Sequence, residues 1–106
     1  MNMKLEARKA LFTGDAPELW EVGESVFIRT VTYHLVGKII AVLKDGYKTW
    51  LVLDEAAWVA DSGRFTNAMN EGKLNEVEPV DSPIRINTDS ITDVFCWVHP
   101  LPRKQQ

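Results

Sequence analysis

The stretch GKIIAVLKDGYKTWLVLDEAAW, residues 37–58, decides the fold class of this chain. Two apolar runs, 39–43 and 50–53, flank a short polar segment, Lys44-Asp45-Gly46-Tyr47-Lys48-Thr49. Apolar runs of this length on either side of a glycine-containing turn are typical of a β-hairpin. The turn also places an aromatic ring between two lysines in sequence, so the same stretch raises the question of a binding surface.

Length and composition restrict the class of protein. The 106 residues are enough for one domain, and 45% hydrophobic with 25% charged residues are ordinary globular values. A net charge of −3 gives no overall attraction to nucleic acid, so such binding needs a local basic patch. The single cysteine, Cys96, excludes an internal disulfide. This cysteine usage predicts a cytoplasmic protein. No apolar run approaches the roughly 20 residues of a membrane span, and the N-terminus has no signal-peptide pattern, so no membrane partner is predicted.

The N-terminal part predicts helices and then a strand. Residues 2–12 have apolar side chains at helical spacing, and Asp15-Ala16-Pro17-Glu18 has the residues of a second helix start, so 1–22 is predicted as a helical segment. From Val26, the run VFIRTVTYHLVG predicts one strand that bends near Gly37. The side chains expected on one face of that strand are Phe27, Val31, Tyr33 and Leu35.

The remaining chain completes a small β domain, 1–106. The second and third strands are predicted at Lys38–Leu43 and Thr49–Trp58, within a block of three strands at 26–58. Residues 61–83 predict an inserted helix, capped by Asp61 or Ser62 and stopped by Gly72, with a connector that contains prolines. Residues 84–98 predict two further strands, Ile84–Asn87 and Ser90–Val98, and 99–106 a solvated tail. The predicted fold is mainly β: a small, strongly bent five-stranded antiparallel barrel, with an N-terminal helix and a short helix between strands three and four.

This layout resembles that of the Sm-like (Lsm) family, in which a short helix precedes three bent strands, a gap and two short strands. The family's first motif has a glycine in strand two, an Asp-x-aromatic-Met-Asn turn and an apolar strand ending in acidic residues. The matching residues are Gly37, Asp45-Gly46-Tyr47-Lys48-Thr49 and WLVLDEA. The second motif, Ile-Arg-Gly-x-x-Ile, matches in spacing at Ile86-Asn87-Thr88-Asp89-Ser90-Ile91. LDEAAWVADSGRF is also similar to small Sm-like proteins of tailed phages of the cyanophage type.

The resemblance implies a non-enzymatic homo-oligomeric ring of about five to seven subunits. It also implies a site for single-stranded RNA or DNA at Tyr47, Thr49, Lys44, Lys48 and Asn87. Thr49 stands where the family has a base-reading Asn, and Asn87 where it has a pocket-closing Arg, so the implied binding is weak and without strong base specificity. Two alternatives stay open. In the first, the turn is a solvated hairpin tip. In the second, the ring is a phage assembly or virion-associated adaptor that binds no nucleic acid, and the negative net charge of the chain favours this second alternative.

Other chemistry-bearing residues predict no reaction centre, cofactor or metal site. His34 and His99 have no partners at metal-ligand spacing. Asp54 and Glu55 are neighbours in a strand, so their carboxylates point to opposite faces and cannot act on one atom. No base neighbours Cys96 in the sequence, which predicts a structural thiol. Packing in the core or between subunits is the predicted role of Trp50, Trp58, Phe95 and Trp97.

Overall fold

The computed structural model describes residues 20–106, which form one antiparallel sheet of six strands with a short helix. Strand makes up 53% of these residues, so the predicted mainly-β class is confirmed. The elements in chain order are β1 (Ser25–Thr30), β2 (His34–Asp45), β3 (Lys48–Asp61), α1 (Phe65–Glu71), β4 (Glu76–Pro79), β5 (Ile84–Asn87), a 3-10 turn (Thr88–Ser90) and β6 (Ile91–Cys96). Most of the predicted N-terminal helical segment, 1–19, lies outside the described residues, and 20–22 are not helical.

The sheet is built around the long β2–β3 hairpin. The strand order is β4-β3-β2-β1-β6, and β5 pairs with β3 on the same edge as β4, nearer to the start of β3. β5 and β6 are consecutive in the chain but lie on opposite sides of the hairpin, and the sheet is not closed. The predicted number of five strands is therefore wrong. The additional strand, β4, lies in the segment predicted as a connector.

The predicted strand over residues 26–37 is in fact two strands joined by a tight turn. The hydroxyl of Thr30 donates a hydrogen bond to the carbonyl of Tyr33 at 2.8 Å and accepts one from its backbone N–H at 3.0 Å. Such local bonds from a threonine compete with continued strand pairing. Because the chain reverses here, Phe27 and Leu35 lie on opposite faces of the sheet, and the prediction that they share one is wrong.

The predicted irregularity at Gly37 is confirmed. The pairing of β2 with β3 shifts register between Val36 and Lys38, which bends the strand. A Cβ at Gly37 would lie 3.1 Å from the Cβ of Ala56, closer than side chains normally approach. Across the strand, Glu55 has a φ of 48°, in the left-handed region. Glycine is therefore required at this point of close approach between β2 and β3.

Both faces of the sheet bury apolar side chains. The first core consists of Val26, Ile28, Leu35, Ile39, Leu51, Leu53, Ala56 and Ile86. The second core lies on the opposite face and consists of Phe27, Val36, Ala57, Val59, Ala68, Leu74, Val77 and Trp97. The predicted packing role of Trp97 is confirmed, whereas Trp58 is 43% exposed. Successive side chains of the strands point to opposite faces, so the sheet has a packed core on each face.

The helix α1 covers the second core. Its only buried residue is Ala68, and its C-cap is Gly72 in the left-handed conformation at φ 71°, as predicted. The predicted cap at Asp61 or Ser62 is wrong, because the N-cap is Arg64, which makes no side-chain cap bond. The carboxylate of Asp61 accepts instead from the backbone N–H of Gly63 at 2.9 Å, which orders the loop before the helix.

The C-terminal segment is not the solvated tail that the sequence predicts. Backbone N–H and carbonyl groups of Val77 and Gln106 exchange hydrogen bonds of 3.1 and 3.0 Å. The guanidinium of Arg103 donates to the carbonyl of Ala56 at 2.9 Å, and Leu101 packs against the second core. The end of the segment therefore lies beside β4, to which it is hydrogen-bonded at one residue pair. No helix within residues 20–106 is long and apolar enough to cross a membrane.

Candidate nucleic-acid interface

The tip of the β2–β3 hairpin carries the most exposed aromatic ring of the described residues. β2 ends at Asp45 and β3 begins at Lys48, so the loop is only Gly46-Tyr47. Gly46 has a φ of 62°, which the first residue of such a two-residue loop favours and glycine adopts without strain. Tyr47 has a relative exposure of 108%, which means that its ring has no packing partner. The predicted turn is present, although narrower than expected.

The two lysines of the tip lie on opposite faces of the hairpin. Lys44 pairs with Thr49, and Asp45 pairs with Lys48 in the next row. Successive residues of a strand alternate between faces, so the Lys44–Thr49 row and the Asp45–Lys48 row point in opposite directions. Tyr47 therefore has one ammonium group on each side, instead of one basic patch.

Asn87 lies at the same end of the sheet as the tip. It pairs with Trp50, which is the residue that follows Thr49 on β3. Its side-chain oxygen accepts from the N–H of Asp89 at 3.0 Å, and its carbonyl accepts from the hydroxyl of Ser90 at 2.7 Å. Because these bonds build the 3-10 turn, the amide oxygen of Asn87 is already engaged. The structure brings Asn87 near the tip but engages half of its amide in the turn.

These positions define what the tip can do chemically. An unpacked phenol can stack on any base, and each ammonium group can contact a phosphate. The hydroxyl of Thr49 offers one donor and two acceptor positions, and Asn87 retains its NH₂ as a donor. Because Asn87 pairs with Trp50, it lies on the face opposite Thr49, and the two side chains cannot read one base edge together. The tip therefore suits sequence-tolerant contacts.

A second cluster, which the sequence did not indicate, lies on the face that α1 covers. Arg29 donates from Nε and Nη2 to the two carboxylate oxygens of Asp93, at 2.7 and 2.6 Å. The guanidinium carbon lies 5.1 Å from the ring centre of Phe95 and 5.3 Å from that of Phe65. Both rings are within cation–π range, and they contact each other edge-on at 5.1 Å. The cluster ties β1, β6 and α1 together.

Charge coupling in this cluster shifts three pKa values. The hydrogen bonds from Arg29 hold the pKa of Asp93 below its ordinary range, and Asp93 in turn raises the pKa of Arg29. Burial lowers the pKa of His34, and the nearby charge of Arg29 lowers it further. Part of this arrangement was visible in the sequence, because Phe27 and Arg29 share one face of their strand, and Asp93 and Phe95 share one face of theirs. The pairing of β1 with β6 was needed to join these alternations.

Among the described residues, Cys96 and His34 are further chemistry-bearing side chains with defined surroundings. The thiol of Cys96 donates to the carboxylate of Glu24 at 3.1 Å, a neighbour that the sequence did not indicate. An open cavity of about 270 Å³ lies between the 31–33 turn and the end of β3, with Tyr33, His34 and Asp61 among its lining residues. Within the part of the chain that the structure describes, no three His, Cys, Asp or Glu residues are grouped to hold a metal ion.

Comparison of the chain with models of protein families, with curated proteins and with solved structures finds no match.

Proposed function

We propose that this protein is a non-enzymatic, ring-forming β domain of the Sm-like type that holds single-stranded RNA or DNA at its hairpin tips. The observation that carries the proposal is the fully exposed ring of Tyr47, on the two-residue loop of the longest hairpin, with an ammonium group on either side. Stacking on an aromatic ring contributes roughly 1–3 kcal/mol per base and tolerates any base. Binding is therefore weak per tip and without strong base preference.

The order of the strands supports the Sm-like type. Three consecutive antiparallel strands are followed, after an insertion, by β5 on the free edge of β3 and β6 on the free edge of β1. A 3-10 turn is the only link between β5 and β6. In the family, the fourth and fifth strands of neighbouring subunits pair with each other. β5 and β6 are the counterparts here, since within residues 20–106 each uses only one edge.

A ring would compensate for the weakness of one tip. Unpaired strand edges favour intermolecular pairing, and a head-to-tail contact closes into a ring when its rotation permits. About five to seven tips on one ring would bind a strand with an avidity well above that of each tip. The cytoplasm, of a bacterial host if the chain is phage-encoded, is the compartment that fits this proposal.

Replacing Tyr47 tests the proposed site. Tyr47→Ala should weaken binding of poly(U) and of single-stranded DNA about 5- to 100-fold per engaged tip, whereas Tyr47→Phe, which keeps the stacking face, should retain it. Val31→Ala is the matched control, because Val31 is 91% exposed on the other hairpin turn. Filter binding at two salt concentrations measures the effect. Equal binding by wild type and Tyr47→Ala would rule out the tip as the site.

The acidic balance of the chain, −3, favours a second candidate: an assembly or virion-associated adaptor that uses the same ring and binds no nucleic acid. Light scattering on the same samples distinguishes the two. Both candidates require a mass several times 12.0 kDa, and a monomer at micromolar concentration would exclude the ring. A ring with no detectable binding in low salt would favour the adaptor.

A further inference from the structure

The outward face of the β2–β3–β5 sheet, next to the hairpin tip, is not covered by any element of residues 20–106. Leu51 and Ile86 point into the first core, so their strand neighbours Trp50 and Asn87 point away from it. We name this surface the Trp50 face. It consists of three rows of paired residues: Asp45–Lys48, Leu43–Trp50–Asn87 and Ala41–Val52–Arg85.

The Trp50 face combines apolar and basic side chains. Leu43 is 45% exposed, and Trp50 and Val52 are half-buried and belong to neither core. Helix α1 packs on the second core, toward the other end of β2 and β3, and does not reach these rows. Trp50 therefore keeps part of its side chain exposed and is a member of neither core.

Charge identifies the kind of partner. Lys48 and Arg85 are the basic residues of the Trp50 face, and Asp45 is its one acidic residue. The face is thus net positive on a chain whose net charge is −3. A positive face with an aromatic ring on an acidic protein matches a polyanion that carries flat bases better than it matches a second copy of the same acidic chain.

We propose that a single nucleic-acid strand stacked on Tyr47 continues onto the Trp50 face, where a base stacks on Trp50 and phosphates contact Lys48 and Arg85. The inference rests on the proposed function and extends its site from the tip to the sheet. Trp50 and Arg85 are diagonal neighbours on adjacent strands. Residues in such positions are about 7–8 Å apart across the two strands, a distance that long side chains can bridge. The protein then engages at least two bases per subunit instead of one.

Two substitutions and two controls test the extension, with a fluorescein-labelled oligothymidylate as the probe. Arg85→Ala should lower affinity about 5- to 10-fold and reduce the slope of log affinity against log salt by about one. Arg64→Ala is the control, because Arg64 is an exposed arginine before α1 at the other end of the sheet. Trp50→Leu should lower affinity about 5- to 100-fold, and Trp58→Leu should leave it unchanged. Arg85 is exposed, so its variant keeps the fold even if Trp50→Leu does not.

The outcomes separate this inference from the proposed function. Loss of binding in Tyr47→Ala, with wild-type binding in both Arg85→Ala and Trp50→Leu, would overturn the extension and leave the tip site standing. No binding by the wild-type protein would overturn both. If Trp50→Leu lowers the mass of the oligomer while Arg85→Ala binds normally, the Trp50 face is a contact between copies of the chain, and the extension is wrong.

Discussion

At Gly37, the absence of a side chain allows β2 to approach β3 closely at the point where the pairing of the two strands shifts register. The Cβ of Ala56 and the Cβ of Leu53 would lie 3.1 and 3.3 Å from a Cβ added at this position. Both neighbours are fully buried in the first core, so neither can move aside without disturbing its packing. The close approach of β2 and β3 at this point therefore depends on the missing side chain of Gly37.

Gly37→Ala should lower the free energy of unfolding by about 1–3 kcal/mol, the usual range for an added methyl group in a close-packed site. Urea denaturation measures the change. Gly46→Asn is the control, because nothing lies within 4 Å of a Cβ there and asparagine tolerates a positive φ. Equal stability of Gly37→Ala and wild type would show that the strands can separate at low cost.

Individual residues differed in how far the sequence could predict them. The exposure of Tyr47 follows from local pattern alone, since the tip of a hairpin has no neighbours. The ion pair of Arg29 with Asp93 joins residues 64 positions apart, and no local periodicity reports that pairing. The turn at 31–33 was missed for a different reason: its residues are β-branched and aromatic, and the hydroxyl of Thr30 overrides their strand propensity.

At the scale of elements, β4 shows why the inserted segment was misjudged. Glu76-Val77-Glu78-Pro79 is short, acidic and ends in proline, so its pattern is that of a connector. Its pairing with β3 places Val77, which is fully buried, in the second core beside Ala68 and Leu74. The sequence predicts that residues 62–80 can be replaced by a Gly-Ser loop without loss of the β domain. The burial of these three side chains argues that the replacement would uncover the second core.

Val77→Ala should therefore destabilise the protein by about 1–3 kcal/mol, because the side chain leaves a cavity under β4. Glu78→Ala, at the neighbouring exposed position of the same strand, should change stability by no more than about 0.5 kcal/mol. Thermal or urea unfolding followed by circular dichroism compares the two. A Val77→Ala protein as stable as Glu78→Ala would support the sequence-based view that the segment is dispensable.

At the scale of the whole molecule, the alternation of apolar residues predicted the mainly-β class, while the arrangement of the strands required contacts between distant parts of the chain. β1 pairs with β6, and the C-terminal segment pairs with β4. Consecutive apolar residues such as Phe27 and Ile28 are typical of a strand that is buried on both faces, but the elements that cover each face could be found only from contacts between distant residues. Of the candidate interface, the tip could be predicted, whereas the Trp50 face needed the register of β5 on β3.

The stability of the whole molecule should fall in two stages on acidification. Burial lowers the pKa of His34, so folding favours its neutral form, and this contribution is lost as the pH drops below the ordinary value of 6.5. The hydrogen bonds from Arg29 lower the pKa of Asp93, so the ion pair stabilises the fold above the ordinary value of 3.8 and is lost below it.

Each side chain of the Arg29–Asp93 pair is about one-third exposed, at 35% and 36%, so solvent screening limits the second stage to about 1 kcal/mol or less. Urea unfolding at about pH 7.5, 5.5 and 2.5 should show His34→Gln losing the first stage and Asp93→Asn losing the second. If His34→Gln keeps the full decline between the two higher pH values, another group is responsible for the first stage.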